Sequence, residues 1–168
     1  MPTRAVPPSL LSGGWPAVWW VGCHGGAGTS TLARLTGLGA DAGVGWPMLG
    51  AKVPAAPLTS VVLVCRCTAR GAWSATGAVE QWRRGACPPG VRVLGVVAVD
   101  ASPRRPPRLA TERLYVMRGW VPYVWRFGWV EELLAADEPR DVGLPPDVAA
   151  LAAAVGRLIG EGLREQAR

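Results

Sequence analysis

Lysine is almost missing from this chain of 168 residues: Lys52 stands alone against seventeen arginines. Histidine is equally scarce, with His24 its single instance. One histidine, with no Cys-x-x-Cys spacing among the cysteines at 23, 65, 67 and 87, leaves no recognisable zinc-ligand pattern. Cys65 and Cys67 fall on one side of a strand by alternation, and buried reduced thiols are the expectation for them. No run of about eighteen apolar residues occurs, so no segment reads as a membrane-spanning helix. Met1 to Ser12 lacks the continuous apolar stretch of a secretory signal, and a cytoplasmic protein is expected. Acidic residues are the minority, giving a net charge of +6 that favours acidic partners without selecting one. The arginine skew goes with abundant Ala, Gly and Pro and reads as coding bias rather than arginine chemistry.

The most informative stretch is Val18-Trp19-Trp20-Val21-Gly22-Cys23-His24-Gly25-Gly26-Ala27-Gly28-Thr29-Ser30-Thr31-Leu32-Ala33. An apolar strand enters a glycine-rich turn, and the turn enters a hydroxyl-rich helix start. That layout aims bare backbone N–H groups and the positive end of a helix dipole at an anion. The phosphate-binding consensus G-x-x-x-x-G-K-[ST] has a lysine where Thr29 stands, and Cys23 occupies the place of its first glycine. Ser30 takes the position whose hydroxyl would ligate Mg²⁺, with a helix N-cap as its plain alternative role.

Gly25 to Thr31 resembles the G-G-x-G-K-[ST]-T loop of the MinD/ParA-type P-loop ATPases, with His24 at the place of that family's signature lysine. VRVLGVVAVD (Val91 to Asp100) resembles the family's late strand, which usually ends in an asparagine near the nucleotide base. Gly119-Trp120-Val121-Pro122-Tyr123 resembles the strand that follows. The G-C-H-G-G-A-G-T-S-T loop is also similar to that of small actinobacterial proteins associated with mobile elements. The resemblance implies a shortened P-loop NTPase-like fold binding ATP or another nucleotide with Mg²⁺ through His24, Gly25, Gly26, Ala27, Gly28, Thr29, Ser30, Thr31 and Asp100. It further implies a protein partner in a plasmid-, conjugation- or secretion-related system, with a homodimer as a candidate state. The region between Leu38 and Ser60 is too short for the family's switch loops and its metal-organising aspartate strand. A binding or regulatory module without hydrolysis and without catalytic residues is therefore expected, or one that has lost its nucleotide altogether. A slow Mg²⁺-dependent switch and a basic DNA-binding accessory protein are the alternatives.

Length fits one domain, and the expected division is a flexible lead over 1–14 and a single α/β domain over 15–168. Strands are expected at 17–22, 61–65, 91–99 and 120–125, and helices at 29–36, 71–84, 108–118 and 129–136. A final helix opens at Pro145-Pro146-Asp147 with Val148, Leu151, Ala152, Val155, Leu158, Ile159 and Leu163 on one face. Residues 37–60, rich in Gly and Pro, are expected to form a long loop with at most one short strand. Alternating strands and helices predict a mainly parallel sheet sandwiched by helices. Arg104, Arg105 and Arg108 form a candidate nucleic-acid contact. Trp120, Trp125 and Trp129, beside Arg126, form a candidate partner surface.

Overall fold

Val61-Val62-Leu63-Val64-Cys65 offers solvent no polar side, and the structure buries all five side chains between two helical layers. The structure is a computed structural model and describes residues 1–6, 15–48 and 58–166. Its centre is a sheet of β2 (Trp19–Gly22), β3 (Ala40–Val44), β5 (Thr59–Arg66), β6 (Val91–Val99) and β7 (Val124–Phe127). The strands lie in the order β3-β2-β5-β6-β7, and every neighbouring pair is parallel. The chain is thus α/β, as expected, with helices on both faces.

Alternation along the strands assigns the two cores. Trp19, Val21, Val61, Leu63 and Cys65 face α2 (Ala69–Arg83) and α3 (Arg108–Met117), which contribute Ala72, Ala75, Val79, Ala110, Leu114 and Met117. Val18, Trp20, Val62 and Val64 face α1 (Thr29–Thr36) and α4 (Pro146–Gln166), which contribute Leu32, Leu35, Val148, Leu151 and Val155. Leu163, expected on the apolar face of α4, lies outside the described side chains. In β6 the faces exchange at Gly95: Val93 shares a core with Val96, and Leu94 shares one with Val97. The pairing with β5 slips at that point, and an added Cβ would stand 2.4 Å from the Trp125 ring, so only glycine fits.

Four expectations are corrected by the structure. The long loop over 37–60 contains β3 and β4 (Trp46–Met48), while 49–57 lie outside the described residues. Glycine content hid these strands. Gly43, at φ 67°, sits where the β2–β3 register shifts, so that Trp20 pairs with Asp41 and Val21 with Gly43. The lead over 1–14 is not uniformly loose: β1 (Thr3–Ala5) pairs in parallel with β4, and 7–14 lie outside the described residues. The strand expected at 120–125 begins only at Val124, because Trp120 and Val121 still donate to the Met117 carbonyl as α3 unwinds. The short helix expected at 129–136 is a single 3-10 turn, Glu131–Leu134, followed by another at Pro139–Asp141. No helix among the described residues is long and apolar enough to cross a membrane.

Candidate anion-binding cleft at the carboxyl ends of the strands

The chain runs from β2 through α1 to β3 on one side, then crosses to β5 on the other side of β2. The sheet therefore reverses its winding between β2 and β5, where open α/β sheets place ligands beyond the strand ends. The glycine-rich turn fills this position. Gly26 (φ 71°) and Gly28 (φ 103°) hold left-handed backbone, and Gly28 caps α1 with no side chain supplying the cap. The amides of Gly28, Thr29, Ser30 and Thr31 meet no protein acceptor among the described residues, so the first turn of α1 presents its donors outward.

The side chains of the turn divide by direction. Ala27 is buried in the α1–α4 core and Thr29 is nearly so, packed towards Gly22 rather than into the opening. Gly28 and Thr31 line a cleft of about 390 Å³ with Asp100, Arg66, Arg34, Phe127, Trp129 and Leu133 among its walls. Ser30 turns the other way. Its hydroxyl donates to Asp41 Oδ2 at 2.5 Å, and Asp41 Oδ1 accepts from the Gly43 amide at 2.7 Å. Ser30 is therefore not the N-cap, and both partners of its hydrogen bond stay accessible to solvent. A strand with an accessible carboxylate thus does follow the loop within 38–60, where none was expected. The sequence signal was Ala40-Asp41-Ala42, read as loop because glycines flank it.

His24 faces inward. Its Nδ1 donates to the Gly25 carbonyl at 2.8 Å, and its Nε2 accepts from the Arg66 amide at 3.0 Å. Those partners assign a neutral ring with the proton on Nδ1. The ring ties β2 to β5 across the switch point and does not extend towards the opening of the turn. Gly71, in the first turn of α2, allows this packing, because a Cβ there would stand 2.2 Å from the Arg66 carbonyl oxygen.

Asp100 is where the sequence placed it, directly after β6, but its carboxylate is committed. Arg126 Nε donates to Oδ1 at 2.8 Å and Arg126 Nη2 to Oδ2 at 2.6 Å, a bidentate pair on a nearly buried acid. Asp100 lines the cleft, yet a role in reading a base edge would have to share those oxygens. Arg66, which sequence reasoning did not single out, crosses the same corner. Its Nε donates to the Gly26 carbonyl and its Nη1 to the Asp100 carbonyl, both at 3.0 Å.

Other candidates fall outside the cleft or lose their motive. Trp120 and Trp125 are half-buried against the two cores, and the Trp129 indole donates to Glu131. Among the described residues the most exposed aromatics are Trp73 on α2 and Tyr115 on α3, at 61% and 72%, followed by Tyr123 beside Trp125. Arg108 pairs with Glu112 one helical turn on, while Arg104 and Arg105 are exposed in the loop after β6. The four cysteines are free thiols. Burial pushes Cys23 up to about 12, and burial, then the neighbouring Cys23 and Cys67, raises Cys65 well above its ordinary value. Neither is a nucleophile at neutral pH. Among the described residues no group of three or more His, Cys, Asp or Glu side chains could hold a metal by itself. Compared with family models, curated proteins and solved structures, the chain matches none.

Proposed function

We propose that this chain binds a nucleoside di- or triphosphate together with Mg²⁺ and acts as a binding or regulatory module. The observation that carries the reading is the Ser30–Asp41 hydrogen bond beside a helix start with unsatisfied amides. In phosphate-binding loops of this layout, Mg²⁺ is held by a loop hydroxyl and an acidic side chain from a neighbouring strand. Two oxygen ligands suit Mg²⁺, which keeps several waters and takes its remaining ligands from the phosphates. The accessible Ser30 and Asp41 fit that requirement without a complete protein cage. On the other side of the turn, the 390 Å³ cleft has room for the rest of a nucleotide.

Hydrolysis is expected at background. Thr29 brings no charge to the phosphates, and His24 is tied to Arg66 and Gly25 rather than free to reach them. The resemblance to MinD/ParA-type proteins supports an output through a protein partner, and the plasmid-, conjugation- or secretion-related setting rests on that resemblance alone. A thermal-shift panel with ATP, ADP and GTP, with and without Mg²⁺, tests the reading. A rise in melting temperature that needs Mg²⁺ supports it, and no shift with any of the three at millimolar concentration overturns it.

A further inference from the structure

The cleft contains a cation with no anion to meet it. Arg34 pairs with Glu138 at 3.1 Å and Arg126 with Asp100 at 2.6 Å. Arg66 differs from both. Among the described residues no carboxylate lies within ion-pair distance of it, and its two hydrogen bonds go to neutral carbonyls of Gly26 and Asp100. A guanidinium carries five N–H donors in one plane, and those two bonds leave Nη2 without a partner among the described residues. An uncompensated charge is thus fixed on the wall of a concave site, one residue type away from what the glycine-rich turn lacks.

From these contacts we infer that Arg66 supplies the positive charge missing at Thr29 and contacts the phosphate chain of the ligand. The inference rests on the nucleotide reading above. Arg66 ends β5, directly across the switch point from the turn, and its backbone is held on both sides. The His24 ring accepts from its amide, and Gly71 lets α2 close against its carbonyl. The Nε bond to Gly26 sets the guanidinium against the turn, and the Nη1 bond to Asp100 aims it along the cleft. A planar fork suits two phosphate oxygens at once, whereas a lysine is a point charge. The charge arrives from a neighbouring strand instead of from the loop itself.

The bland alternative is that Arg66 only staples the turn to the end of β6. Titration calorimetry with Mg²⁺-ATP and with inorganic tripolyphosphate, across a range of NaCl concentrations, separates the two roles. Arg66→Gln is expected to weaken both probes about tenfold or more and to flatten the salt dependence, because one charge contact is lost. Arg66→Lys is expected to retain most of the salt dependence. In wild-type protein, tripolyphosphate is expected to shift the Arg66 side-chain NMR signals, a reading that needs no variant to fold. Equal salt dependence in wild type and Arg66→Gln, or unmoved Arg66 signals while the probe binds, overturns the assignment alone. Failure of the wild type to bind either probe overturns the nucleotide reading and this inference with it.

Discussion

Gly71 and Gly77 lie on the same helix, and the same substitution at each is expected to act with opposite sign. Gly77 is exposed, and a Cβ there meets nothing within 4 Å. Gly77→Ala therefore gains helix propensity only, worth up to about 1 kcal/mol. At Gly71 the added carbon would stand 2.2 Å from the Arg66 carbonyl oxygen and 3.0 Å from His24 Nε2. The nearest neighbour is backbone at the end of a central strand, so the strain falls near the upper end of overpacking costs, about 3 kcal/mol. Subtracting the propensity gain leaves a net loss of about 2 kcal/mol. For a chain of this size that lowers the melting temperature by about 4–8 °C, while Gly77→Ala raises it by about 2–4 °C. Urea and thermal unfolding of the two variants beside wild type measure both. If Gly71→Ala is as stable as Gly77→Ala, α2 does not close on Arg66 as described, and the positioning of the cleft's cation loses its support.

Arg126→Met leaves the nearly buried Asp100 carboxylate without its bidentate partner. Because the Arg126 side chain is 54% exposed, the loss is set below that of a fully buried pair, at about 1–3 kcal/mol. The double variant Asp100→Asn, Arg126→Met is expected to recover part of it, and urea unfolding that finds Arg126→Met as stable as wild type contradicts the pairing. Thiol labelling of the folded protein is expected to modify Cys87, the half-exposed one, well before Cys23 or Cys65, and fast labelling of three thiols would contradict their burial. Burial raises the Cys23 thiol in the folded state, so its contribution to stability is complete below the ordinary value of 9.0 and fades as pH rises towards about 12. Unfolding free energies that rise between pH 9 and 11 would reverse that sign.

The sheet was legible because its strands are continuous apolar runs. Val61 to Cys65 and Val93 to Val99 contain no polar side chain, and α2 and α4 carry apolar residues at helical spacing. β3 was illegible for a local reason. Only Ala42 among Ala40–Val44 is buried, and glycines at left-handed angles interrupt it, so neither alternation nor propensity marks a strand. Missing that strand meant missing Asp41, whose link to Ser30 exists only once β3 lies beside β2. The glycine-rich turn itself was readable, since its glycines and hydroxyls are contiguous. Its surroundings were not: Arg66 reaches Gly26 from forty positions along the chain, and Arg126 reaches Asp100 from twenty-six. The direction of His24 was equally closed to the sequence, because it depends on the Arg66 amide and on the missing side chain of Gly71.

If Ser30 and Asp41 hold Mg²⁺ against a phosphate ligand, ATP binding depends jointly on the metal and on the Asp41 carboxylate. The measurement is titration calorimetry of ATP into wild type and Asp41→Asn, each with Mg²⁺ and with EDTA. Asparagine keeps its one oxygen for the Gly43 amide and turns its NH₂ to the Ser30 hydroxyl, which then accepts instead of donating, so the fold is retained while the negative charge is lost. Wild type is expected to bind ATP at least about tenfold more tightly with Mg²⁺ than with EDTA, a difference of about 1.4 kcal/mol, and Asp41→Asn is expected to lose that difference. An undiminished Mg²⁺ effect in folded Asp41→Asn, or a wild type whose ATP affinity ignores Mg²⁺, would contradict the account.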